Sequence, residues 1–347
     1  IDPEEGIPSR PEMPEVWDGK TVVEPLQGAN DWYIITNGAE LAWISQIASK
    51  ATFAGNVVFT KDIDLGNHKW TPIGNATQYY NGCIEGNGHT VMGLYLEPAK
   101  GDLCSGLVGA TNSTGYIRNL NLEGKILFVG SPTGSNQDVG SFVGLANALS
   151  LLENCHSTMD IDGTNGIGLY TGGLLGRAKA VKVNQCSYSG NMIAGKNNSK
   201  GGWGGLVGTF NSSVVDAKGG ITNSWFDGTI TCSSQGAFVY GSALCGYANL
   251  NKGMCTIKNN YINGSVTIMG VTPTNYNVVC GKAVATTTIA DIYGVNITST
   301  NVTTVTETQL HNGELSRKLN YGVPVGAFGQ DMSNPSSHPV VFADSIV

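Results

Sequence analysis

The chain has 347 residues, with 19 Lys and Arg against 26 Asp and Glu, a formal charge of −7 and a pI near 5.2. An acidic chain without evident basic clusters is a poor partner for phosphate backbones or anionic membranes, so nucleic acid is excluded as a partner. No segment approaches the roughly 18 consecutive apolar residues of a membrane span, so membrane contact is expected only through an anchor outside these residues.

Residues 1–16 carry Pro3, Pro8, Pro11 and Pro14 among Glu4, Glu5, Glu12 and Glu15, which reads as an exposed linker leading to such an anchor. No signal peptide is visible, and the start at Ile1 implies an export signal already removed. Residues 17–102 read as an N-terminal cap and lead-in. Trp17-Asp-Gly-Lys20 opens it, and Asn37-Gly-Ala-Glu40 has the form of a capping box. It starts a helix with Leu41, Ile44 and Ile47 on one stripe, placed to cover strand edges that would otherwise pair with other chains. Strands follow at Val57–Thr60 and around Ile84.

From 103 to 305 the chain repeats. Gly106-Leu-Val-Gly109 recurs as Ser141-Phe-Val-Gly144, Gly173-Leu-Leu-Gly176, Gly205-Leu-Val-Gly208, Ala243-Leu-Cys-Gly246 and Val278-Val-Cys-Gly281, at steps of 35, 32, 32, 38 and 35 residues. A second element follows each copy, centred on Ile117, Leu152, Val183, Ile221, Ile257 and Ile289. A third apolar position follows at Ile126, Ile161, Met192, Ile230, Val266 and Ile297 or Thr298. Short apolar runs bounded by Gly, Asn and Ser are strands. Strands that recur once per unit must pair in parallel with their copies above and below, because a single unit cannot bury its own inward face. The expected fold is all-β, a right-handed parallel β-helix (solenoid) of roughly seven to nine rungs, with a short N-terminal capping helix and a small helical and extended C-terminal cap.

Asn119, Asn154, Asn223 and Asn259 are expected to form an amide ladder at one corner, with Gln185 and Asp291 as departures. Cys155 and Cys186 share a column, as do Cys245 and Cys280, and all four are expected as buried, unpaired thiols. Polar insertions are expected at Ser131–Asp138, Gly195–Trp203 and Ser212–Gly219. In residues 306–347, Thr306-Glu-Thr-Gln309 again has capping-box spacing, with Leu310, Leu315 and Leu319 facing the coil and an extended tail from Tyr321.

The Gly-Leu-Val-Gly repeats resemble the GLUG-motif repeat family of bacterial surface and secreted β-helices. The resemblance extends upstream to Asp62-Ile-Asp-Leu65, Trp70-Thr-Pro-Ile-Gly74 and Glu85-Gly-Asn-Gly-His-Thr90, and downstream to Gly313-Glu-Leu-Ser-Arg-Lys-Leu-Asn320 and Pro339-Val-Val-Phe342. It implies an exported protein at the cell surface, lipid-anchored or extracellular, with an adhesin-like role and no catalytic mechanism.

The residues themselves leave three functions open: a binding module presenting a rigid face to glycan or host-matrix protein, a polysaccharide lyase or hydrolase, and a structural spacer. No pair of carboxylates can be nominated across one glycosidic bond, no catalytic residue is named, no cofactor is required, and a monomer is expected. His89 reads as a structural turn residue, and His311-Asn-Gly-Glu314 lacks the second histidine of a zinc motif. Asp160, Asp162 and Asn165 superficially resemble a calcium loop, although their spacing departs from the EF-hand pattern. In the second strand of each repeat, Leu120 and Leu122 face inward, so Asn121, His156, Ser187, Trp225, Tyr261 and Tyr293 form the outward column. His156, Trp225, Tyr261 and Tyr293 are therefore the candidate ligand-binding stripe.

Overall fold

The computed structural model describes residues 15–99, 101–129, 137–165, 169–194, 201–232, 239–268, 277–322 and 327–341. Most of the expected linker thus lies outside the described residues, as do large parts of the first two expected insertions. The chain is all-β, built from long parallel sheets through which each repeat passes in turn.

The register follows the glycine spacing. Val108 pairs with Val143, then Leu175, Val207, Cys245 and Cys280, each the residue before the last glycine of its motif. The second element pairs as Ile117–Leu152–Val183–Ile221–Ile257–Ile289, and the third as Ile126–Ile161–Met192–Ile230–Val266. These positions are the core: Leu152, Val183, Ile221, Ile257, Ile161 and Met192 have no exposed surface.

The motif glycine marks where two sheets close on each other. A Cβ on Gly208 would lie 2.6 Å from the Gly176 carbonyl oxygen and 2.7 Å from the Thr171 amide nitrogen. No side chain fits there, which explains why all six motifs end in glycine while their first position varies through Gly, Ser, Ala and Val.

Asparagine governs the next corner. Asn119, Asn154, Gln185, Asn223, Asn259 and Asp291 all take positive φ, between 47° and 57°, a region that Asn enters more cheaply than most residues. Asn154 Nδ2 donates to Asn119 Oδ1 at 2.9 Å, and Asn259 Nδ2 to Asn223 Oδ1 at 2.7 Å. Gln185 keeps the backbone turn, but its neighbour Asn184 takes over the amide role, accepting from Asn223 Nδ2 at 2.8 Å.

Cys155, Cys186, Cys245 and Cys280 are buried and free. Their thiols donate to nearby strand carbonyls, Cys186 to Asn184 O at 3.1 Å and Cys280 to Lys282 O at 3.1 Å. The expected insertions extend less far than their boundaries suggest, because Asp138, Trp203, Lys218 and Gly219 already lie in strands.

Helix α1 spans Gly38–Lys50, with the Asn37 side chain accepting from Glu40 N. Its buried stripe is Leu41, Ile44, Ser45 and Ala48; Ile47 is half-exposed because Ser45 turns inward to donate to Thr71 O at 2.5 Å. At the other end, α2 (Glu307–His311) and α3 (Glu314–Leu319) follow a reciprocal capping box between Thr306 and Gln309. An antiparallel pair, Phe328–Gly329 with Val340–Val341, completes the tail.

Candidate functional site

The outward column forms in the expected register: Asn121, His156, Ser187, Trp225, Tyr261 and Tyr293 are successive Cα partners. The expected exposure does not hold. Trp225 is 5% exposed and Tyr261 0%, while Tyr293 and His156 are half-buried. The C-terminal segment lies over the stripe. Leu310, Leu315, Leu319, Phe328 and Val341 join Trp225 and Tyr261 in one apolar cluster. The Trp225 and Tyr261 rings stack at 5.9 Å and 2°, with Phe328 edge-on to both at 6.2 and 6.0 Å. Tyr261 Oη donates to Pro339 O at 2.6 Å and lies 2.9 Å from His338 Nδ1. His311 anchors the same tail through Ser337 O at 2.7 Å.

Above the stack, His156 Nδ1 lies 2.8 Å from Ser187 Oγ and Nε2 lies 3.1 Å from Asn154 Oδ1, the hydrogen-bond order of a nucleophilic relay. Ser187 is only 4% exposed, and the Trp225 ring packs 5.1 Å from the imidazole, so the relay is a packing device. Burial pushes the His156 pKa down to about 4 from 6.5. The unfolded chain takes up this proton first as pH falls. The stability gained from neutral His156, about 3 kcal/mol, is therefore complete above pH ~6.5 and lost by about pH 4. Burial of Asp138 beside Arg177 acts oppositely, pushing its carboxyl up to about 6, so its contribution opposes that of His156 across this range. The destabilisation caused by His156→Gln, measured by urea unfolding, should shrink by about 3 kcal/mol between about pH 7 and pH 4. A constant difference would contradict the burial of a neutral imidazole.

A different part of the large sheet opens to solvent. A groove of about 540 Å³ is lined by Leu151, Glu153, Lys182, Asn184, Lys218, Gly219, Gly220, Thr222, Met254 and Thr256. Two outward columns build it. One runs Tyr116, Leu151, Lys182, Gly220, Thr256, and the other runs Arg118, Glu153, Asn184, Thr222, Lys258. Gly220 leaves a notch in the first column. Its φ is +158°, and a Cβ would meet the Thr256 carbonyl oxygen at 2.0 Å, so the notch belongs to the backbone. The middle of the second column is hydrogen-bonded: Asn184 Nδ2 donates to Glu153 Oε1 at 2.9 Å, and Thr222 Oγ1 donates to Asn184 Oδ1 at 3.0 Å. Arg118, itself paired with Glu85, stands next to Glu153 in the ladder. Lys182 and Lys218 are exposed at the rim.

The sequence reading missed this groove because its lysines lie in different columns 36 residues apart. The available signal was Gly220 alone among side-chain-bearing neighbours of its column.

A third exposed lysine, away from the groove, behaves differently. Lys282 Nζ lies 5.1 and 5.3 Å from the Tyr240 and Tyr247 ring centroids and 3.2 Å from Tyr240 Oη, so it already has partners. Among the described residues, no three His, Cys, Asp or Glu side chains converge as a metal site. Asp160 Oδ1 accepts from both the backbone and side-chain amides of Asn191 at 3.0 Å, and Asp162 Oδ1 accepts from Thr164 N at 3.0 Å. Asp160 thus braces the neighbouring strand and Asp162 its own turn, and Asn165 is exposed beyond them. His89 pairs at 3.2 Å with Asp62, 27 residues earlier, which also accepts from Thr90 N, so it ties its turn to the preceding unit.

No family model matches the chain. It is 33% identical over 91 residues to an Evansella cellulosilytica protein named "Putative Gly-rich membrane protein", covering 24% of this chain and 10% of that protein. It is 35% identical over 104 residues to the Halomucin of Haloquadratum walsbyi, covering 30% of this chain and 1% of that one. The chain thus spans a small part of the curated relatives it matches. A solved structure from Bacteroides ovatus, titled "a putative immunoglobulin A1 protease", superposes with a TM-score of 0.59 at 16% identity, covering 92% of this chain and 95% of that one. This likeness shows the fold. No helix among the described residues is long and apolar enough to cross a membrane.

Proposed function

We propose that the protein is a non-catalytic, surface-exported binding module of the GLUG-motif kind, a right-handed parallel β-helix presenting one face to a glycan or protein. The observation that carries this reading is the groove at Gly220, whose floor is backbone and one wall of which is the hydrogen-bonded row Glu153–Asn184–Thr222. Such a site is held in place by strand pairing on both sides, so a ligand meets it with little further ordering cost. Membrane and Halomucin names among the relatives support a location outside the cell. Binding is favoured over hydrolysis because Glu153 is the one carboxylate among the described lining residues. Asn184 already holds it, whereas glycoside cleavage needs two carboxylates across one bond.

Thr256→Trp, which fills the notch from the neighbouring strand, provides the test. On an array of glycans and extracellular-matrix proteins, the wild-type protein should retain ligands that this variant loses, with the melting temperature unchanged. Equal retention by both proteins, or no retention by the wild type, would refute the groove as the binding face.

A further inference from the structure

We infer that the groove takes an acidic sugar, one carrying carboxylate or sulfate together with free hydroxyls, as part of a polysaccharide chain; this rests on the binding-module reading above. The protein carries a net charge of −7, yet Lys182 and Lys218 line the groove. Lys252 stands on the adjoining turn, where Asp216 N donates to Lys252 O at 2.9 Å. None of the three forms an ion pair with a described carboxylate, whereas Lys69, Lys258 and Lys318 do, with Glu97, Asp291 and Glu314. The two lining lysines flank the notch, Lys182 one strand step from Gly220, roughly 4.8 Å, and Lys218 two residues along, roughly 6.6 Å. Two exposed cations without an ion-pair partner among the described residues thus border a stretch of the groove that carries no side chain, which fits an anionic group seated over Gly219 and Gly220.

The opposite wall says what else the anion must carry. Glu153 is an acceptor with one described hydrogen bond, from Asn184, and a carboxylate has about four acceptor positions. An acceptor at that place rewards only a ligand with hydroxyl or amide donors and repels a bare polyanion. Arg118 beside it offsets part of the repulsion. Lysines without an arginine fork also suit spaced single charges better than the bidentate geometry of phosphodiesters. Leu151 and the 55% exposed Met254 give apolar surface for the C–H faces of sugar rings.

Titration calorimetry can separate charge from shape, using an oligogalacturonide, its methyl ester, a hyaluronate oligosaccharide, a sulfated heparin-type oligosaccharide and a single-stranded oligonucleotide. At least one acidic oligosaccharide should bind the wild type, the free galacturonide at least about tenfold more tightly than its ester if it is that one. Raising salt from about 50 to about 500 mM should remove the advantage, because exposed charges are screened. Lys182→Gln with Lys218→Gln should abolish it without changing the melting temperature. Failure of every acidic oligosaccharide, equal binding of acid and ester, or oligonucleotide binding as tight as the acidic sugar would overturn the inference. Retention of a neutral glycan on the array, lost in Thr256→Trp, would at the same time leave the binding-module reading standing.

Discussion

Trp225→Ala and Tyr261→Ala should each destabilise the protein by about 3–5 kcal/mol, the range for large aromatic truncations in a packed core. The two rings form the floor on which the C-terminal segment rests, so each truncation opens a cavity under Phe328 and the leucines of α2 and α3. Tyr261→Phe separates the polar part: Pro339 O and His338 lose a partner, at about 1–3 kcal/mol. Chemical unfolding gives the energies, and limited proteolysis should show earlier cleavage within 327–341 in the alanine variants. Unchanged stability in Trp225→Ala would mean that the tail does not cover the column, and would return the stripe to the exposed surface.

Gly208→Ala should be more damaging still. The added methyl meets backbone on two sides, at 2.6 Å from Gly176 O and 2.7 Å from the Thr171 amide nitrogen, where no rotamer offers relief. Separating the two sheets would break pairings of the neighbouring repeats as well, so a loss above about 4 kcal/mol or failure to fold is expected. Ser213→Ala, on an exposed turn of the same repeat, is the control and should stay within about 0.5 kcal/mol of the wild type. A Gly208→Ala protein as stable as that control would show that the motif glycine is not set by the close approach of the sheets.

The register was legible in the sequence because two kinds of residue mark each repeat. The last motif glycine sits where a Cβ cannot fit, and the corner asparagine sits where φ is positive; both are backbone requirements and recur at fixed intervals. Gln185 shows the limit of that signal, since the corner persists there while the amide bond moves to Asn184. Column parity told which way Trp225 and Tyr261 leave the sheet, but nothing about what covers them. Their cover comes from Phe328, His338 and Pro339, 67 or more residues further along, through contacts that no repeat encodes. The groove was hidden for a related reason. Lys182 and Lys218 become neighbours through strand pairing in two columns, and the notch between them arises from a glycine whose meaning lies in the strand beside it.

The most direct measurement is the crystal structure of the protein with the acidic oligosaccharide that binds it most tightly. The account predicts density for a sugar across Gly219 and Gly220, its anionic group between Lys182 and Lys218 and a hydroxyl within hydrogen-bond distance of Glu153. Density over Tyr240, Tyr247 and Lys282 instead, with the Gly220 notch filled only by solvent, would contradict it.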